Sequence, residues 1–307
     1  MIISSMILGG KDEIFLKPSL DSVDDACDLI IINDNSYVTN ENNLKYIKSS
    51  IPYKNNKIVI IKNLFDGFDN ARNQILDYIK KKKYNNSWII KLDADEVHGK
   101  NLSIITRNII PALPDDYSVV DVYFYQFLQS FSYLRSIDRR HNFLVRFNKD
   151  MLWRGRVHEK IENVIGRTLI LPYIFYHYGC NFAPSEILNK WKLYKSLGDS
   201  NQPDLDEFNN DYFILSELNS CFSFNGRHPA HMKDVINEII KNRGNEIMRY
   251  ESIISEINKN KRHSLHNYIN KYNFLFRIFY RRVENYIKYY FNKDIKNGLK
   301  ELNKNDN

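Results

Sequence analysis

Short apolar runs punctuate the first hundred residues. IISSMIL (2–8), LIIIN (29–33), KIVIIK (57–62) and WIIKL (88–92) are rich in Ile and Val and bounded by polar stretches, a pattern that predicts strands. The segments between them read as helices. The clearest is 69–83, where Ile75, Leu76 and Ile79 fall on one face. Nearly continuous apolar strands separated by helices imply a parallel sheet covered on both faces. Such sheets bind ligands beyond the carboxyl ends of their strands.

After residue 117 the pattern lengthens. SVVDVYFYQF (118–127), FLVRF (143–147) and TLILPYIFYH (168–177) predict longer strands, some of them antiparallel, and from Pro184 the pattern is helical to the end. The expected fold class is therefore α/β, a Rossmann-like and mainly parallel sheet flanked by helices, with a helical C-terminal extension. At 307 residues the chain is long enough for one large domain with an appendage. The division expected is a domain over 1–200 and an extension over 201–307.

Composition narrows the setting. Cys27, Cys180 and Cys221 are scattered and lack CxxC spacing, which argues against a disulfide framework or a zinc site and suits a reducing cytoplasm. The first residues lack a basic leader pattern and run into Lys11-Asp12-Glu13, so they read as a strand. No stretch of about 18 uncharged apolar residues is present, against a membrane span. Of the net charge of +7, residues 264–307 carry nine Lys/Arg against four Asp/Glu. A chain that binds nucleic acid through its main body would place basic residues there instead, so no nucleic-acid partner is expected.

The sharpest local feature is SWIIKLDADEVH, 87–98, an apolar strand driven into Asp93, Asp95 and Glu96. In an extended strand, side chains at i and i+2 point the same way, which would bring Asp93 and Asp95 together. Two such carboxylates repel unless a cation lies between them, and oxygen ligands suit Mg²⁺ or Mn²⁺. The alternative is a solvated acidic turn. A second D-x-D, Asp204-Leu205-Asp206, has no apolar strand before it and reads as a helix start.

In this order the residues resemble a family-two glycosyltransferase of the GT-A fold. The features that carry the likeness are Lys11-Asp12-Glu13, the strand ending at Asp34, Phe68-Asp69-Asn70-Ala71-Arg72-Asn73, and Leu92-Asp93-Ala94-Asp95-Glu96. Downstream, Trp153 to Ile161 resembles the Gly-Arg-Val-His-Glu stretch of bacterial members with a DADE motif. His177-Tyr178-Gly179, followed by a helix with Lys190, resembles their His-x-Gly segment. The likeness covers about residues 1–200. It makes 1–100 a nucleotide-binding half and 101–200 an acceptor half. Asn35-Ser36 and Gly9-Gly10 depart from the family pattern at positions that would line the base pocket.

The resemblance implies roles. Asp34 would accept a hydrogen bond from the nucleobase; otherwise it is a turn residue. Arg72 and Asn73, in the first turn of the 69–83 helix, would meet the donor nucleotide's anions, or else form a solvated polar face. Asp93 would touch ribose and metal, and Asp95 would ligate Mn²⁺ or Mg²⁺ directly. Glu96 either joins them or buttresses the turn. Glu159 is the candidate general base, with Asp138 its competitor, although a carboxylate among Arg154, Arg156 and Lys160 is also a natural ion-pair partner. His158 and His177 compete as a third metal ligand, the alternative being a core or acceptor-site histidine. Tyr123, Tyr125, Phe127 and Trp153 are sugar-stacking candidates or core.

The implied reaction moves a sugar from a nucleoside-diphosphate sugar, UDP in the first place, to a hydroxyl of a glycan, lipid-linked or protein acceptor, with inversion. The rivals are a Mg²⁺-dependent phosphotransferase or nuclease and a non-catalytic nucleotide-sugar-binding scaffold. The stretch 271–291, KYNFLFRIFYRRVENYIKYYF, predicts an amphipathic helix. It suits either an anionic membrane surface, placing the protein at the inner face of the membrane, or docking on its own domain or another subunit.

Overall fold

β-Branched side chains favour extended backbone, and buried on both faces of a sheet they need no polar alternation. The apolar runs at 2–8, 29–33 and 88–91 meet both conditions, whereas 58–62, at the edge of the sheet, is only half-buried. The computed structural model describes residues 1–199 and 217–261. Its first half alternates β1 (Ile2–Leu8), α1 (Leu16–Ser22), β2 (Leu29–Asp34), α2 (Glu41–Ser49), α3 (Ile51–Lys54), β3 (Ile58–Lys62), α4 (Phe68–Lys81) and β4 (Trp88–Lys91). There follow β5 (Glu96–Val97), α5 (Asn101–Ile104), β6 (Tyr117–Phe127), β7 (Tyr133–Arg146), β8 (Leu152–Arg154), β9 (Lys160–Glu162), β10 (Arg167–His177) and α6 (Pro184–Ser196). Beyond residue 216 come β11 (Phe222–Ser223) and α7 (Lys233–Lys261).

Among the described residues the main sheet runs β3-β2-β1-β4-β7-β6-β10-β5, with β11 beside β7. The first four strands are parallel; β7 is antiparallel to both β4 and β6, and β10 returns parallel to β6. This is the expected Rossmann-like α/β architecture, with helices on the sheet and a C-terminal helix. Ile2, Met6, Ile30, Ile32 and Ile90 bury one face with α1 and α5, while Ile3, Ile31 and Ile89 bury the other against Ile75, Leu76 and Ile79 of α4.

Two expectations change. The strand expected over 143–147 begins at Tyr133, because YLRSIDRRHN is too charged to read as buried. Its Asp138 and Arg139 are exposed while its backbone pairs with β6. The helical pattern after Pro184 is interrupted by β11, where Phe222 pairs with Leu134. The amphipathic stretch 271–291 and Asp204-Leu205-Asp206 lie outside the described residues. No described helix is long and apolar enough to cross a membrane.

The C-terminal segment shares the core. Met232, Ile239 and Ile247 pack with Phe15, Phe127 and Tyr178. Helix α7 is kinked at Arg243, whose guanidinium donates to the Asn181 carbonyl (2.8 Å) and to Gln129 Oε1 (2.7 Å). His228 Nε2 donates to the Phe131 carbonyl (2.8 Å), which leaves Nδ1 to accept from the Tyr178 hydroxyl (2.8 Å).

Burial lowers the His228 pKa from its ordinary 6.5. An imidazole depressed in the folded state contributes stability that is complete above its unfolded pKa and is lost as pH falls below it. Chemical denaturation at pH 7.5 and 5.5 should therefore show an acid loss that is smaller in His228→Gln.

Candidate active site

Strand β4 carries a lysine, Lys91, at its end, and the chain then turns instead of continuing extended. The Glu96 N–H closes onto the Asp93 carbonyl (3.1 Å), and Glu96 Oε2 accepts the Asp93 N–H (3.0 Å). Glu96 thus buttresses the turn. The turn also breaks the i, i+2 geometry expected of a strand, so Asp93 and Asp95 face different partners.

Asp93 is held by two arginines. Arg72 Nη2 bonds Oδ1, and Arg140 Nη2 bonds Oδ2 at 2.6 Å. Arg140 also reaches Glu96 Oε1 (3.0 Å). Arg72 donates through Nη1 to the Ser5 carbonyl (3.0 Å) and through Nε to Glu159 (3.3 Å), which in turn pairs with Lys91 (2.7 Å). Charges alternate along Lys91, Glu159, Arg72, Asp93, Arg140 and Glu96. Burial alone would raise the Asp93 pKa, yet Arg140, Arg72 and Lys91 hold it well below the usual carboxylate range. Burial wins at Glu96, which is pushed up to about 7 despite Arg140.

Asp95 has its own surroundings. Antiparallel pairing of β5 with β10 sets His177 opposite Glu96, and the Tyr178 N–H donates to the Asp95 carbonyl (2.9 Å). His177 Nε2 lies 3.4 Å from Oδ1, and Lys190 Nζ, from α6, lies 3.6 Å from Oδ2. Burial would raise this carboxyl, but Lys190 and His177 keep it well below its ordinary range. Gly179 completes the cradle. A Cβ there would collide with Asp95 Oδ2 and lie 2.8 Å from His177 Nε2.

This arrangement lies where β1 has β2 on one side and β4 on the other. Chain order reverses there, and the crevice beyond the strand ends is where open α/β sheets bind ligands. Nearby, Leu8, Asp34, Thr39 and Ile60 line a small pocket at the carboxyl ends of β1 and β2. Asp34 itself accepts from the Ser36 N–H (3.0 Å), the Ser36 and Thr39 hydroxyls and Lys62 (3.4 Å), so a base would have to displace one of these.

Several expected roles meet different geometry. Arg72 is buried and all three of its guanidinium nitrogens are committed to protein oxygens, so it positions Asp93 instead of presenting a free fork to an anion. Asn73 spends its amide on the backbone of Trp153, accepting at 2.8 Å and donating at 2.9 Å, and so ties the β8–β9 hairpin to α4. Glu159 is an ion-pair partner whose pKa, although burial raises it, is brought down by Lys91 and Arg72. His158 sits in the β8–β9 turn, not on a strand, and faces Asp199 (3.0 Å). It is His177 that meets Asp95. Asp138 is exposed on the β7 face that also carries Arg140. Phe127 and Trp153 are buried in the core. The residues missed from sequence are Lys91 and Arg140. A lysine ending an apolar strand was the available signal for the first, whereas nothing local marked the second.

The donor set accommodates a hard divalent ion in part. Two ligands side by side on such an ion, each about 2.1 Å from it, stand roughly 3 Å apart, close to the Asp95–His177 separation. The remaining positions would fall to water and ligand oxygens, because no cluster of three or more His, Cys, Asp or Glu ligands occurs among the described residues. Asp93, bonded through both oxygens to arginine, is not free to join.

No protein-family model matches the chain, and no curated protein matches it. Among solved structures it is similar to one from Bacillus anthracis named as a glucose-1-phosphate thymidylyltransferase, in complex with a sucrose. The TM-score is 0.30 at 9% identity, covering 70% of this chain and 83% of that chain. So shallow a likeness says nothing of chemistry.

Removing Arg140 strands Asp93 and Glu96 without their shared cation. Arg140→Met should cost about 3–5 kcal/mol in denaturant unfolding, the scale for breaking a buried ion pair from one side. Gly179→Ala should cost about 1–3 kcal/mol by overpacking, and should shift the His177 ring resonances in NMR while leaving those of His228 in place.

Proposed function

We propose that the chain is a divalent-metal-dependent glycosyltransferase acting on a nucleoside-diphosphate sugar, UDP-linked in the first instance. The observation that carries this reading is the Asp95–His177 pair, kept open by Gly179, at the reversal point of a sheet whose Asp93 is locked by two arginines. The sequence order Asp34, Arg72, Asp93, Asp95 supports it through its resemblance to family-two glycosyltransferases.

Asp95 and His177 would hold Mn²⁺ or Mg²⁺, whose contribution is to neutralise the nucleoside diphosphate as it leaves. His177 must be neutral to ligate, and its buried Nδ1 has no hydrogen-bond partner among the described residues. Asp93, with an exposed edge and fixed oxygens, would orient the ribose. The Asp34 pocket would take the base once Thr39 or Lys62 gives way. Asp138, exposed on β7, is the general base proposed for the acceptor hydroxyl, because Glu159 is engaged by Arg72 and Lys91. In-line attack on the anomeric carbon from the Asp138 side would invert its configuration. The acceptor is a glycan, a lipid-linked saccharide or a protein, and an inner-face membrane location is the setting proposed for the lipid-linked case.

A donor panel with Mn²⁺ tests the reading. Release of UDP from a UDP-sugar is expected, with turnover in Asp95→Asn reduced at least about a hundredfold, the scale for losing a key electrostatic stabiliser. Phosphate release that needs no sugar nucleotide would point to the phosphotransferase or nuclease reading. Binding of donor without any turnover, acceptors supplied, would point to a scaffold.

A further inference from the structure

The cations around the acids are not equally fixed. Arg72 is 3% exposed, Lys91 11% and Arg140 19%, and each lies within 3.0 Å of a carboxylate oxygen. Lys190 is different. Its side chain is 28% exposed and its ammonium stands 3.6 Å from Asp95, beyond a hydrogen bond. It is carried on a flexible four-carbon stem, where arginine would offer a planar fork committed to one geometry.

The partner is also distinctive. Asp95 is 9% exposed, and a carboxylate so buried needs a counter-charge. A divalent ion taken up by Asp95 and His177 would supply that charge and would repel an ammonium so close by. Something must move, and among these four cations only Lys190 is loosely held with access to solvent. The face of Tyr194, four residues along α6, lies 6.0 Å from its ammonium. On the metal-dependent reading a leaving diphosphate would lie beside the ion at Asp95, within reach of the Lys190 ammonium.

We propose that Lys190 is an exchangeable counter-ion: it neutralises Asp95 in the metal-free protein, yields that carboxylate when the divalent ion enters, and then pairs with the diphosphate of the donor. This rests on the metal-dependent reading above and assigns Lys190 a role in metal uptake and donor binding. Its consequence is thermodynamic. Lys190 competes with the metal when no nucleotide is present and assists it when nucleotide is bound, so it strengthens the coupling between the two ligands.

The test is Mn²⁺ binding to the full chain by titration calorimetry and by the electron paramagnetic resonance of free Mn²⁺, with and without UDP. Lys190→Met and Lys190→Gln should each bind Mn²⁺ at least about tenfold more tightly than wild type without UDP, since a like charge has left the site. Lys190→Arg should not. The added tightness that UDP gives to Mn²⁺ should shrink in the Met and Gln variants. Circular dichroism melts identify whichever of the two folds, and one suffices. If Asp95→Asn abolishes Mn²⁺ binding but neither neutral Lys190 variant tightens it, the exchange is wrong and the metal-dependent reading stands. If wild-type Mn²⁺ binding is absent or indifferent to Asp95→Asn, both are wrong.

Discussion

Asp93 is a charged group that the sheet cannot hold without help, and much of the site follows from how it is helped. The side chain sits at the end of a buried strand, where an unpaired carboxylate would be protonated or expelled. Arg72 from α4 and Arg140 from β7 take one oxygen each. Each arginine must itself be compensated, which recruits Glu159 and Lys91 on one side and Glu96 on the other. Elements from residue 5 to residue 159 are thereby fastened at one point. The arrangement is also why Arg72, Glu159 and Asp93 serve poorly as free ligands: their polar atoms are already engaged.

The neighbouring carboxylate escapes that fate because of backbone. A β-turn at Asp93–Glu96 aims Asp95 away from the arginines, and the pairing of β5 with β10 brings His177 to it. Gly179 keeps the space between them open, since any side chain would occupy it. One acid is clamped by arginines and the other is only loosely paired, although the two stand only two residues apart.

What was legible in the chain divides along physical lines. The parallel half announced itself through the Ile-rich runs of β1 to β4, of which β1, β2 and β4 are buried on both faces. Strand β7 was half hidden because its charged stretch runs past the acids, where Arg140 pairs with Asp93 and Glu96, so the feature that completes the ion-pair chain also disguises the strand. The acids, His177 and their order could be read as candidates. Their partnerships could not, since Arg72 meets Glu159 across 87 residues and Lys190 meets Asp95 from a helix about a hundred residues later. Asn73 marks the limit of local reasoning. A polar residue in the first turn of a helix looks poised for an anion, yet a backbone hairpin 80 residues on takes both ends of its amide.

The two halves of the site differ in stiffness, and the difference would have a use in the proposed reaction. Preorganised dipoles and charges stabilise a transition state most when they need not reorganise at the moment of reaction. The alternating chain from Lys91 to Glu96 meets that condition, being closely bonded and, apart from the open edge of Asp93, largely buried. A site that admits an ion must nevertheless release something to make room, and a wholly rigid set of ion pairs would resist entry. Asp95, with His177 at 3.4 Å and Lys190 at 3.6 Å, is the loosely closed end. On the proposed reading, rigidity at Asp93 would fix where the donor lies, and slack at Asp95 would let a cation arrive. Neither half would serve in the other's place.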